Sequence, residues 1–133
     1  MSSISKLESR AVNVARAHIE AWSSHDYEKA RKSLADDVHV TVTTTQPIMP
    51  ATDTVGIDKY MDGLVKFASA VEPGSVRIIG STGDDHNALL LVTMKTALGP
   101  GGTNVMLSGA RLYLIDDQGK ISAEQVIFFV GSG

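Results

Sequence analysis

The chain of 133 residues contains no cysteine, which excludes disulfides, thiolate metal sites and cysteine nucleophiles. It has no long hydrophobic run: nothing approaches the roughly 20 apolar residues that a membrane span requires. It has no strong charge of one sign either. The formal net charge is −3, and the 12 Lys and Arg residues are scattered, so there is no footprint for nucleic acid. The opening Met-Ser-Ser-Ile-Ser-Lys lacks the charged-then-apolar order of a secretory signal, and a cytoplasmic location is expected. No His or carboxylate cluster has ligand spacing for a metal. No Gly-rich segment follows a strand and opens a helix as nucleotide binding requires, since Gly99-Pro100-Gly101-Gly102 reads as a hairpin tip. No metal and no cofactor are therefore expected. Repeats, low-complexity segments and dividing linkers are absent too, so residues 1–133 read as one domain.

What is present is an ordinary folding composition, 43 % hydrophobic and 20 % charged. From Lys6 to about Ser24, Leu7, Ala11, Val14, Ala15, Ala21 and Trp22 recur near helical spacing, with Ser5 to Glu8 as a capping box. His18 lies four residues from both Val14 and Trp22, on the apolar stripe. An imidazole there is either a core histidine bonded to a backbone carbonyl or a titratable group at the floor of a pocket. Asp26 is placed to cap a second helix from Tyr27 to about Ala35. Val38 to Thr44 alternates with period two, so it reads as a strand with valines 38, 40 and 42 on one face and His39 on the other. Residues 45–55 read as an irregular connection containing Asp53. A third helix then runs from Ile57 to about Val71. The remainder reads as four strands, Ser75 to Ser81, Ala88 to Ala97, Asn104 to Ile115 and Lys120 to Val130. Helices followed by an antiparallel meander define an α+β fold.

This order resembles the nuclear-transport-factor-2-like superfamily, and within it the SnoaL-like and ketosteroid-isomerase-like branch. The likeness is carried by Ala21-Trp22-Ser23-Ser24-His25-Asp26-Tyr27-Glu28, by Leu34-Ala35-Asp36-Asp37-Val38, by Gly56-Ile57, and by Leu112-Tyr113-Leu114-Ile115-Asp116-Asp117-Gln118-Gly119-Lys120-Ile121. It implies a curved antiparallel sheet wrapped around the N-terminal helices into a cone with an internal apolar pocket. It also implies a homodimer through the outer sheet face. Carried over by position, the isomerase chemistry fails: His18 falls where a tyrosine donates to the oxyanion, Val42 where the base belongs, and Arg111 where the acid belongs, or Ala110 with a one-residue slip. The chain is thus not a standard ketosteroid isomerase.

A different pair takes that place. If Ile115 closes opposite Lys120, then Tyr113 opposes Ser122 and Arg111 opposes Glu124. Facing inward, the Arg111–Glu124 pair resembles part of the superfamily's epoxide-hydrolase site, with a second acid missing at Tyr113. Facing outward, it is a surface salt bridge, and the apolar Ala110, Leu112 and Leu114 argue for that arrangement. The candidate catalytic residues are His18, Arg111 and Glu124, and the candidate substrate-binding residues are Trp22, Val42, Tyr60, Met61 and Tyr113. Asp53 is a weaker candidate acid near the mouth of the cone. The expected function is binding of a small, largely apolar organic molecule by a cofactor-independent isomerase, cyclase or hydratase/hydrolase. The alternative is a non-catalytic binding or interaction module of the same fold.

Overall fold

The computed structural model describes residues 9–44 and 51–130. Helix α1, Arg10–Ser23, starts where the Ser9 side chain accepts from the Val12 N–H at 3.1 Å, satisfying one of the orphan donors of a helix start. The capping box expected at Ser5 to Glu8 lies outside the described residues. The buried stripe of α1 holds Ala11, Val12, Ala15, His18, Ile19, Ala21 and Trp22. His25 then takes a left-handed conformation (φ 65°). Asp26 caps helix α2, Tyr27–Lys32, by accepting from the Lys29 N–H at 3.2 Å.

Strand β1, Leu34–Thr44, begins earlier than its valine alternation suggests. The connection expected to be irregular contains a short strand, β2, Thr52–Val55, paired antiparallel to β1. Helix α3, Ile57–Ser69, follows. The rest is strand: β3, Arg77–Gly83; β4, Asn87–Thr96; β5, Val105–Ile115; and β6, Ile121–Val130. They form one six-stranded sheet of order β2-β1-β6-β5-β4-β3. The meander from β3 to β6 is antiparallel throughout, but β1 runs parallel to β6, so the sheet is mixed.

The sheet wraps one side of the helices. Helix α1 packs across β4 and β5, and α3 packs over β1. Alternation along the strands sends Ala88, Leu90, Val92 and Met94 of β4, Leu107 and Tyr113 of β5, and Val126 and Phe128 of β6 into the core. Gly109 on the same inner face makes room for an aromatic ring, since a Cβ there would stand 3.1 Å from Phe128 Cδ1.

Candidate active site

Between α3, β1 and β6 lies a cavity of about 210 Å³, walled by Val40, Val42, Leu64, Phe67, Val126 and Phe128. Its open side carries the exposed Thr52, Lys59 and Gly63. Three polar side chains line its buried part: Tyr60, Arg111 and Glu124. Period-two alternation brings them together. Arg111 and Tyr113 point inward from β5, Glu124 stands opposite Tyr113 on β6, and Arg111 stands opposite Val126. Arg111 and Glu124 are therefore diagonal neighbours, within reach of long side chains.

The two form an ion pair, Nη1 to Oε2 at 3.4 Å, with both side chains only 4 % exposed. The guanidinium carbon lies 5.4 Å from the Trp22 ring centroid and 5.3 Å from that of Phe128, which holds the cation by cation–π attraction. Desolvating a charge pair costs several kcal/mol per ion, so a buried pair in an apolar cavity is an expensive feature for a fold to carry without a use. Helix α3 supplies the next link. The Tyr60 hydroxyl donates to Glu124 Oε1 at 2.8 Å and lies 2.9 Å from His18 Nε2. On the far side of the ring, His18 Nδ1 is 3.1 Å from the Ala30 carbonyl and 2.8 Å from Ser33 Oγ.

Burial shifts these groups. The loss of water holds the His18 imidazole below its ordinary value of 6.5, against the opposing pull of Glu124. Burial also pushes the Tyr60 and Tyr113 phenols well above their usual range, and Glu124 nearby adds to both. Burial works against the Arg111 charge, but Tyr113 and Glu124 outweigh it and keep the guanidinium protonated. Arg111 Nε and Trp22 Nε1 are buried with no protein hydrogen-bond partner, an uncommon state for polar atoms. Among the described residues no group of three His, Asp or Glu side chains is arranged to hold a metal ion. None of the described helices is long and apolar enough to cross a membrane.

The profile of the SnoaL-like domain matches residues 15–124. The chain belongs to the SnoaL-like family. No curated protein matches its sequence. Solved structures share the fold at low identity. The RV0760c protein of Mycobacterium tuberculosis, solved in complex with estradiol-17beta-hemisuccinate, superposes with a TM-score of 0.73 at 15 % identity, over 90 % of this chain and 93 % of its own. A putative SnoaL-like polyketide cyclase from Jannaschia sp. CCS1 gives 0.73 at 14 % identity, over 92 % and 87 %. An LEH-like epoxide hydrolase of Mycobacterium tuberculosis gives 0.66 at 19 % identity, over 90 % and 82 %.

In this SnoaL-like chain the structure brings His18, Tyr60, Arg111 and Glu124 into one network, and Val42 lines the cavity. Two expectations need correction. The last hairpin does not pair Arg111 with Glu124 directly: Ile115 closes opposite Ile121 and not Lys120, and a register irregularity between Leu114 and Ile115 adds one more residue, so that Tyr113 faces Glu124. The pair faces the cavity, and the apolar Leu112 and Leu114, at 39 % and 43 % exposure, lie on the outer face instead. Three residues expected to touch substrate stand behind the cavity wall. Trp22 packs edge-on against Phe67 and under the Arg111 guanidinium. Met61 is buried on α3, and the Tyr113 ring packs against His18. His18 itself reaches the cavity only through Tyr60. Asp53 points away from the cone and pairs with His39 at 2.5 Å on the exposed side of β1 and β2. Ser33, Phe67 and Phe128 join the site without having been expected there from the sequence. The shared parity of Glu124, Val126 and Phe128 on β6 was the signal available for the last of these.

Proposed function

We propose that this chain binds a small, largely apolar organic molecule in the cavity and carries out cofactor-independent acid–base chemistry on it. Glu124 is the proton-transfer group, Arg111 the cation that stabilises negative charge developing on a substrate oxygen, and Tyr60 the wall residue that orients the carboxylate. The observation that carries this reading is the buried Arg111–Glu124 pair at the inner end of a mostly apolar cavity. Few convergent polar groups in an apolar concavity are the usual make-up of a small-molecule site. Arg111 Nε, buried without a protein partner, adds a donor beside the pair. The cavity's 210 Å³ is below the roughly 300–1,000 Å³ of drug-sized sites, which favours an alicyclic or short-chain ligand. The steroid ester held by one structural neighbour and the likeness to an epoxide hydrolase support an apolar organic ligand.

The test uses cyclohexenone and cyclohexene oxide as probes of the isomerase and hydrolase branches. Resonance shifts of Val42, Leu64 and Val126 methyl groups report occupancy, and gas chromatography reports turnover. Binding with turnover that Glu124→Gln abolishes is the expected result. Binding that leaves both probes unconverted identifies a non-catalytic binding module. Absence of binding by these and by a wider panel of alicyclic ketones and epoxides overturns the reading. We further propose that the chain pairs with a second copy through the outer sheet face, and that it works in the cytoplasm.

A further inference from the structure

We propose that His18, Tyr60 and Glu124 form a proton-capture unit, in which Tyr60 and His18 are positioning residues that make Glu124 the base of the site. His18 Nδ1 stands 3.1 Å from the Ala30 carbonyl oxygen, which can only accept. Ser33 Oγ spends its own hydrogen on that same carbonyl at 2.7 Å. Nδ1 therefore carries the hydrogen of the neutral ring, and Nε2 is left as an acceptor. On its other side, Nε2 lies 2.9 Å from Tyr60 Oη, which in turn lies 2.8 Å from Glu124 Oε1. With Glu124 ionised, one phenolic hydrogen faces two acceptors, and one of the two contacts goes without.

A proton arriving on Oε1 removes the shortfall. The Glu124 O–H then donates to Tyr60 Oη, the Tyr60 hydrogen turns to His18 Nε2, and Nδ1–H remains on the Ala30 carbonyl. No bond within Tyr60 or His18 breaks, and the only bond formed is between Oε1 and the captured proton. All three contacts are complete once the unit holds that proton, and burial disfavours the charged His18 ring as its place, so the network favours the state that follows proton abstraction over the resting carboxylate. Arg111 stands at 3.4 Å from Oε2, beyond the roughly 2.7–2.9 Å of a charge-assisted bond, so it does not compete for Oε1. The groups facing the unit are Arg111 and Tyr113 from β5 and Lys59 on the cavity side of α3, with the Ser33 hydroxyl after α2. The inference rests on the acid–base reading for its use but not for its test. A failed titration leaves ligand binding intact, and a failed ligand screen leaves the titration intact.

The experiment is NMR of 15N-histidine-labelled protein, without ligand. In Glu124→Gln, Arg111 draws the amide carbonyl to the Oε2 position and leaves the amide NH₂ donating to Tyr60. This variant therefore mimics captured proton permanently. His18 Nε2 is expected to show a strong acceptor shift in Glu124→Gln at neutral pH, and wild-type Nε2 to move toward that shift as pH falls. With Tyr60→Phe in the background, Glu124→Gln is expected to leave Nε2 unchanged. Equal Nε2 shifts in wild type and Glu124→Gln, or a Glu124→Gln effect that survives in Tyr60→Phe, overturns the proposal. If a variant fails to fold, the wild type decides alone. In the wild type any step seen in the Glu124 side-chain 13C signal is expected to appear at His18 Nε2 as well, because the steps of a coupled unit are reported by every member, and a Glu124 step that Nε2 does not follow overturns the proposal.

Discussion

At the scale of the residue, the site is governed by what burial does to charge. Removing one member of a buried ion pair strands the other, which typically costs about 3–5 kcal/mol, whereas replacing both with apolar groups of similar size is often neutral. Arg111→Leu at pH 7 is thus expected to lower unfolding free energy by about that amount, and Arg111→Leu/Glu124→Leu by clearly less, both read from urea denaturation. A double variant as unstable as the sum of its parts contradicts this account of the pair. His18 sets the pH dependence. Its folded-state value lies below the ordinary 6.5 because the buried imidazolium loses its water. As pH falls below about 6.5 the unfolded chain binds the proton more readily than the folded one, so stability declines with falling pH through that window and levels off once the folded state titrates. Urea midpoints between pH 7.5 and 5 are expected to show this slope in the wild type and a shallower one in His18→Gln.

At the scale of the element, the cavity depends on how α3 is set against β1. Gly56 caps α3 with φ 106° and ψ 142°, and its N–H donates to the Val38 carbonyl at 2.9 Å. That backbone region is close to glycine-only, and a side chain held there costs on the order of 1–3 kcal/mol. Nothing lies within 4 Å of a Cβ added at Gly56, so the strain is conformational, not steric. Gly56→Ala is expected to lower unfolding free energy by about 1–3 kcal/mol and to shift the Tyr60 ring resonances, since α3 carries Tyr60 into the site. An unchanged midpoint would count against the strained cap. The helices and most strands were legible in the sequence because their signals are local: the Asp26 cap, the period-two valines of β1, the Pro73-Gly74 break after α3. Strand β2 was not, because Thr52, Asp53 and Val55 are exposed and Thr54 only half-buried, which leaves no apolar alternation to read. The site was legible by residue type but not by geometry. His18 and the Arg111–Glu124 pair stood out as polar groups in apolar company. Arg111 and Glu124 share a face in the expected pairing and in the observed one, which differ by two residues, but which face that is could not be read, because β5 carries apolar residues on both.

At the scale of the whole molecule, the misleading alternation on β5 has a cause of its own. Leu112 and Leu114 look like core residues because the outer face of the sheet is apolar as well. Leu89 and Leu91 on β4, Leu112 and Leu114 on β5, and Ile127 and Phe129 on β6 are 39–48 % exposed on that face. The strand register sets Leu89 beside Leu112, and Leu91 in line with Ala110 and Ile127, so these side chains form one patch across three strands. An exposed apolar patch of this continuity marks an association surface, and a second copy of the chain offers the same patch for a two-fold, self-complementary contact. The wild type is accordingly expected to show twice the 14.1 kDa chain mass by light scattering. Leu112→Glu is expected to shift it to the monomer mass with an unchanged far-ultraviolet circular dichroism spectrum, because the new carboxylate points to solvent and not into the core. Ligand binding in the cavity should persist in that monomer, since every wall residue of the cavity lies on the opposite face of the sheet or on α3. A wild type that stays at the monomer mass at the highest soluble concentration would show that the patch faces something other than its own copy.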